Sequence, residues 1–480
     1  MMAAEVSPLS KTGGLADVAG ALTRYLHKAG HRVRLFTPFY SLIDRSRLEI
    51  RPVDFLQDIP LEFAHHRYRY SVFEARLPGS DATAYLIDCP VLYSRPVIYT
   101  TDVDEHLRFI ALTRATIECC QRMQWSPQII HCNDWHTAFA PLYIKRAYEW
   151  DRLFARTRTV LTIHNIGYQG TFGADKAVDV GLGDKTYLLH QDDLRAGTVN
   201  PLKHGILYAD HITTVSPTHA KEICTPEYGM GLDELLRARS DSVTGILNGV
   251  DYQEWDPRHD RYLPHHFDAE RLEGKRTLKK ALMRRLNMDA SPDAPLMGIV
   301  SRLAAQKGFD IAFDSLPEVL AWRDLSLVAL GSGEEKYESF FRRLQREFPG
   351  RVVFRSGHDD ELAHWIEAAC DMFLMPSLYE PCGLNQMYSL KYGTVPIVRR
   401  TGGLADSVRM WDPATRLGTG IVFNEFDVPA VRWAIHTALD LFRDSAAWQQ
   451  MMHNGMAQDF SWHRQCQQYL QLYRELLAAP

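Results

Sequence analysis

The sequence predicts an α/β protein of two domains, each built on a parallel sheet with helices against both faces. Three observations carry this. The chain has 480 residues, more than one ordinary core holds. In its second half, short apolar runs alternate with helical stretches, the pattern of strand–helix crossovers. Two of those runs, Leu296–Val300 and 372–375, each open into a loop of charged residues and glycine before a helix begins. Such loops face the crevice off the carboxyl ends of the strands, where open parallel sheets bind ligands.

Composition narrows the class. Hydrophobic residues make up 46% and charged residues 24%, as in soluble globular proteins. The formal charge is −5 with both signs mixed along the chain, so nothing calls for nucleic acid or an anionic membrane surface. No apolar run approaches the roughly 18 residues of a membrane span. The N-terminus lacks the basic start and apolar run of a signal peptide. Eight scattered cysteines without a Cys-x-x-Cys pair argue against zinc and redox sites and for reduced thiols in a cytoplasm.

In chain order, Met1–Glu5 is a short first strand. The loop 7–14 leads to a helix with Val18, Leu22 and Leu26 at helical spacing. Gly13 and Gly14 let backbone amides approach a ligand, and Lys11 can reach a phosphate. Val33–Phe36 is the next strand, and 50–88 reads as a hairpin-rich insertion. A helix (105–123) and a strand (128–131) end at Asn133-Asp134-Trp135-His136. Asp102-Val-Asp104 has metal-pair spacing, but an acidic first helical turn explains it better. Strand 159–163 runs into His164-Asn165, with Tyr168 and Gln169 beyond, polar groups suited to sugar hydroxyls. A helix, the strand 211–215 and another helix precede Asn248-Gly249.

Polar 251–260 reads as the crossover. Strands follow at 296–300, 326–330, 352–354, 372–375 and 395–398, with helices after Lys307, Glu334, Asp359, Gly383 and Gly403. Helix 461–477 closes the chain. Within this half, Arg302 and Lys307 suit phosphate oxygens, the helix start after Gly383 adds amides, and Glu380 suits sugar hydroxyls. The residues read as a nucleotide-sugar pocket. One heptapeptide echoes across the halves: Lys11-Thr-Gly-Gly-Leu-Ala-Asp17 returns as Arg400-Thr-Gly-Gly-Leu-Ala-Asp406.

Those two motifs, with Asn133–His136, Thr162–Asn165 and Tyr168–Gly170, Asn248–Asp251, Ser301–Leu303 with Gln306–Gly308, and Glu380–Leu384, closely resemble the bacterial glycogen synthase and plant starch synthase family. The resemblance covers nearly the whole chain. It implies the GT-B architecture: two Rossmann-like domains facing each other across a deep cleft, with boundaries expected at 1–250, 251–460 and a helix 461–480 crossing back to the first. It implies retaining transfer of glucose from ADP-glucose to the 4-OH end of an α-1,4-glucan, without metal or pyridoxal phosphate. By resemblance, His164, Arg302, Lys307 and Glu380 are catalytic. Lys11, Gly13, Gly14, Asp17, Asn248, Gly357, His358, Cys382, Gly383, Leu384 and Asn385 bind the donor, and Asp134, His136, Asn165 and Tyr168 meet sugar or acceptor. Tyr388 stands where sucrose-type relatives carry a glutamate, which favours ADP-glucose, whereas His358 in place of a stacking tyrosine loosens base preference. Asn385 replaces a commoner threonine, and 92–99 lacks the Gly-Pro-Tyr of many relatives. A longer apolar run precedes the first loop in relatives, so the first strand is expected to be clipped. Pyridoxal-dependent α-glucan phosphorylases, UDP-glucose enzymes and a non-catalytic glucan-binding homologue are the alternatives.

Overall fold

The computed structural model describes residues 1–479. Two compact units emerge. Unit 1 is Met1–Val215, Ala220–Ile246 and Trp462–Pro480; unit 2 is Ser216–His219 and Leu247–Ser461. The division falls at Ile246/Leu247, slightly before the expected 250/251.

Unit 2 carries six parallel strands: β12 (Leu296–Val300), β13 (Ser326–Gly331), β14 (Val352–Ser356), β15 (Met372–Met375), β16 (Val395–Arg399) and β17 (Ile421–Phe423), in the order β14-β13-β12-β15-β16-β17. Renumbered from one, that order is 3-2-1-4-5-6, the doubly wound Rossmann arrangement. Apart from the exposed end of β14 (Arg355 and Ser356), the six strands are nearly buried throughout, because helices cover both faces. That is why they read as continuous apolar runs. The order reverses between β12 and β15, so the loops after these two strands flank the switch point. One helix starts later than expected: Lys307 ends a 3-10 turn (Ala305–Lys307), and a second (Phe309–Ile311) precedes helix Ala312–Trp322.

Unit 1 repeats the arrangement. Its strands are β1 (Arg34–Pro38), β2 (Ile50–Pro52), β3 (Ile59–Phe63), β4 (His66–Arg76), β5 (Thr83–Asp88), β6 (Ile129–Asn133), β7 (Arg158–Ile163), a β8–β9 ribbon (Phe172–Gly173 with Thr198–Val199), β10 (His211–Thr214) and β11 (Val243–Gly245). Met2 bridges both Phe36 and Cys132 in parallel. The extended N-terminal segment therefore lies between β1 and β6 and joins β11-β10-β7-β6 to β1-β5-β4-β2. Short as it is, it holds the first position of the sheet, at the switch point. The segment 50–88 needs correcting: β2, β3 and β4 form antiparallel ribbons, but β5 pairs in parallel with β1 along all five residues and belongs to the core sheet.

Helix Trp462–Ala478 closes unit 1. Its Trp462, Cys466, Tyr469 and Leu470 pack with Val18, Leu22 and Leu26 of helix Gly14–Lys28 and with Ile246. No helix among the described residues is long and apolar enough to cross a membrane.

Candidate active site

In unit 2 the two switch-point loops are laced together. Leu378 N–H donates to Gln306 O at 2.9 Å. Gly308, at φ +71, passes so close to Pro376 that a Cβ would lie 2.0 Å from its carbonyl oxygen. Across this contact Lys307 Nζ meets Glu380 Oε2 at 2.7 Å, and Ser377 Oγ donates to the same oxygen at 3.0 Å. Glu380 is buried and Lys307 mostly so. Arg302 is exposed, and its guanidinium has no hydrogen-bond or ion-pair partner among the described residues. The site thus holds one cation fixed against a carboxylate and a second left for solvent or ligand.

The floor is set by close backbone approaches. Asn385 Nδ2 donates to Val300 O at 2.7 Å, tying the start of helix Asn385–Lys391 to the end of β12. Gly383 takes φ +71, and Leu384 caps the helix. Gln386 Nε2 reaches Cys382 O, Gly383 O and Ser407 Oγ. Cys382 is buried, its thiol pushed up to about 12 by desolvation against the pull of the Asn248 backbone N–H. Behind it, Gly402 and Gly403 press on the loop: a Cβ there would lie 1.9 Å from Glu380 O and 2.0 Å from Cys382 O. Asp406, ending that motif, accepts from Thr218 N–H and Oγ.

Gly357 and His358 sit further out, after β14. Gly357 N–H donates to Gly331 O, and His358 is exposed with Nε2 3.0 Å from Asp360. Tyr388 stacks flat on Trp255 (3.9 Å, 1°), whose other face lies on His364 (3.6 Å, 14°). Sequence reasoning passed over the turn 331–334. A Cβ on Gly331 would lie 1.9 Å from Ser301 O, and Glu334 accepts from Ala305 N–H, so this turn shapes the Arg302 loop. The signal was Gly-Ser-Gly directly after an apolar run.

Unit 1 gathers its polar residues at its own switch point. Asn133 Nδ2 donates to Met2 O at 2.9 Å, and His164 Nε2 donates to Asn133 Oδ1 at 2.9 Å, a polar line across three neighbouring strand ends. Asp134 takes a left-handed φ of +52 and accepts from His164 N–H at 2.7 Å. Burial pushes its carboxyl up to about 7, against the pull of the His164 and Asn165 amides. Burial also holds the His164 imidazole down at about 3, and that of His136 well below its usual value, so both rings are neutral. His136 stacks on Tyr99 at 4.9 Å. Asn165 caps a turn at Gly167, and Tyr168 is exposed. Lys11 is not idle: it pairs with Asp17 at 2.9 Å. Glu5, which the sequence did not single out, is buried and accepts from Thr12 Oγ1 (2.8 Å) and the Thr12 N–H, fixing the Lys11–Gly14 loop. An acid inside an apolar five-residue run was its only trace.

The metal-spaced Asp102 and Asp104 are both taken up by Arg95, each at 2.6 Å.

A family model described as the starch synthase catalytic domain matches residues 1–238, and one for glycosyl transferases group 1 matches 287–451. A glycogen synthase from Koribacter versatilis (strain Ellin345) is 43% identical over 478 residues, 98% of this chain and 97% of the relative. The chain belongs to the glycogen and starch synthase family. A second relative in this family, a glycogen synthase from Thermotoga maritima, is 41% identical over 99% of this chain and 98% of its own. The catalytic domain of starch synthase IV from Arabidopsis thaliana, solved with ADP and acarbose, superposes with a TM-score of 0.90 at 32% identity, covering 100% of this chain and 99% of that one. A sucrose-phosphate synthase from Thermosynechococcus elongatus (TM-score 0.62, 17% identity, covering 100% and 98%) shares the fold alone. The fold is GT-B, and the protein is a glycosyltransferase of the glycogen synthase kind.

Proposed function

We propose that the protein transfers glucose from ADP-glucose to the non-reducing 4-OH end of an α-1,4-glucan, retaining the α configuration and releasing ADP. The observation carrying this reading is the laced loop pair of unit 2, with Lys307 held on Glu380 and Arg302 unengaged at a Rossmann switch point. Breaking the bond between the anomeric carbon and phosphate builds negative charge on the leaving diphosphate. Lys307 keeps two of its three protons for phosphate oxygens while Glu380 orients it, and Arg302 supplies a planar donor fork. Glu380 also accepts from glucose hydroxyls. Asn248, Cys382, Gly383, Leu384 and Asn385 shape the phosphate loop, and Gly357 with His358 meets the base.

In unit 1 the same reading assigns Asp134, His136, Asn165 and Tyr168 to glucose and glucan hydroxyls. His164 supports positive charge at the anomeric carbon, and Lys11 with the Gly13 and Gly14 amides holds phosphate, Asp17 orienting the lysine. The acceptor proton leaves on the departing phosphate. These cations stand in for Mg²⁺, and no pyridoxal phosphate is needed. The Arg95 pairing of Asp102 and Asp104 supports a metal-independent reaction. The ADP and acarbose of the Arabidopsis relative support the donor and acceptor, and eight unpaired cysteines suit a cytoplasmic site.

Incubating the protein with glycogen and labelled ADP-glucose or UDP-glucose tests this. Incorporation from ADP-glucose that survives chelation of divalent metal is expected. Preference for UDP-glucose installs the second reading, which His358 in place of a stacking tyrosine leaves open. Absence of incorporation from either donor overturns both.

A further inference from the structure

We propose that unit 1 holds a divalent transition-metal site, separate from the transfer chemistry, formed by His65, His66 and Asp179. The ligand atoms of these three side chains all lie within 4.8 Å of one another. His65 and His66 sit at the tip of the β3–β4 hairpin, with Phe63 and His66 as the closing pair. Asp179 lies in the 3-10 segment Ala174–Val180, more than a hundred residues later.

The carboxylate is already aimed. His106 Nε2, buried on helix Glu105–Arg122, hydrogen-bonds Asp179 Oδ2 at 2.9 Å and packs flat against Phe172. This leaves Oδ1 to the hairpin, where His66 Nε2 meets it at 2.9 Å. His65 is exposed, its ring 4.1 Å from that of His66. No Lys or Arg side chain forms an ion pair with this buried carboxylate among the described residues.

Two imidazole nitrogens and one carboxylate oxygen are the donor set of Zn²⁺, Co²⁺ or Ni²⁺ rather than of Mg²⁺ or Ca²⁺. A tetrahedral ion with bonds of about 2.0–2.1 Å sets its ligands roughly 3.3 Å apart, within side-chain rotation of the present spacing. A supporting hydrogen bond to a ligand carboxylate, as His106 makes, is what tuned metal sites show. Solvent takes the fourth position. The bound ion clamps the hairpin tip to the 3-10 segment.

The test is titration of chelator-treated full-length protein with ZnCl2 by calorimetry, and with CoCl2 by visible absorption. One saturable equivalent, a tetrahedral Co²⁺ spectrum and a raised Tm are expected. His65→Ala, at an exposed position that leaves the fold and glucose transfer intact, weakens binding by about tenfold or more. Asp179→Asn abolishes it. Lack of saturable binding overturns the proposal, as does binding unchanged in His65→Ala and His66→Gln, which locates the ion elsewhere. The His65 variant keeps the test decisive if Asp179→Asn folds poorly.

Discussion

Lys307 and Glu380 leave different strands, β12 and β15, yet their side chains close to 2.7 Å across the point where the sheet order reverses. Arg302, five residues before Lys307 on the same loop, stays exposed and unengaged. The two cations therefore differ in what their removal does.

Arg302→Ala lowers kcat by about 10²–10³-fold, the scale of losing one donor aimed at developing charge, with Tm unchanged. Lys307→Ala lowers kcat similarly and also strands the buried Glu380 carboxylate, destabilising unit 2 by about 1–3 kcal/mol. Steady-state kinetics alongside urea unfolding separates the two. Equal stability losses, or near-normal turnover in either variant, contradict the assigned roles.

The paired heptapeptides part company at their glycines. A Cβ on Gly14 meets nothing within 4 Å, whereas one on Gly403 lands 2.0 Å from Cys382 O. Gly14→Ala, at a helix N-terminus, is neutral or stabilising by about 0.5–1 kcal/mol while turnover drops. Gly403→Ala costs about 3 kcal/mol or more or yields insoluble protein. Circular dichroism melts and activity on the same preparations decide it.

This contrast marks how far the sequence could be read. The strands of unit 2 were legible because helices on both faces make them continuous apolar runs, as at Leu296–Val300. So was the clustering of charge after β12 and β15. The echo was visible, but not that one copy follows the first strand of its sheet and the other the fifth, nor that one faces open space and the other a carbonyl. The Lys307–Glu380 pair depends on strand order, which no local pattern encodes. The role of β5 was misread because its antiparallel neighbour β4 precedes it directly, while its parallel partner β1 lies far earlier. Residues 421–423 are too few to announce a strand.

Acid weakens unit 1 through its buried imidazoles. Burial depresses His131 and His164 to about 3 and holds His136 well below its usual value. A depressed histidine adds stability above its unfolded value near 6.5 and loses it as pH falls toward its folded value. Asp134 and Glu5, raised by burial, work oppositely: their neutral forms fit the fold, so they cost stability as pH rises. Between pH 7 and 5 each histidine removes roughly 2 kcal/mol, and the three outweigh the two acids. Urea unfolding at both pH values shows a net loss, smaller by about that amount in His164→Gln. An identical pH dependence in the variant refutes the assignment.

Trp462→Ala cuts a large side chain from the cluster that joins helix Trp462–Ala478 to Val18, Leu22 and Ile246. The expected loss is about 3–5 kcal/mol, confined to unit 1. Hydrogen exchange shows it as lost protection in Gly14–Lys28 with Leu296–Val300 unaffected. Uniform loss across both units argues that they unfold together.

The residues that complete unit 1 come from stretches far apart in the sequence: Met1–Glu5 holds its central strand position, and 462–478 covers Leu22. During synthesis, residues 247–461 emerge from the ribosome as one uninterrupted stretch and can fold on arrival. The half translated first must wait, its helix Gly14–Lys28 uncovered, until helix Trp462–Ala478 has been made. Emergence of that distant helix, rather than the order of translation, sets when the first half reaches its finished form.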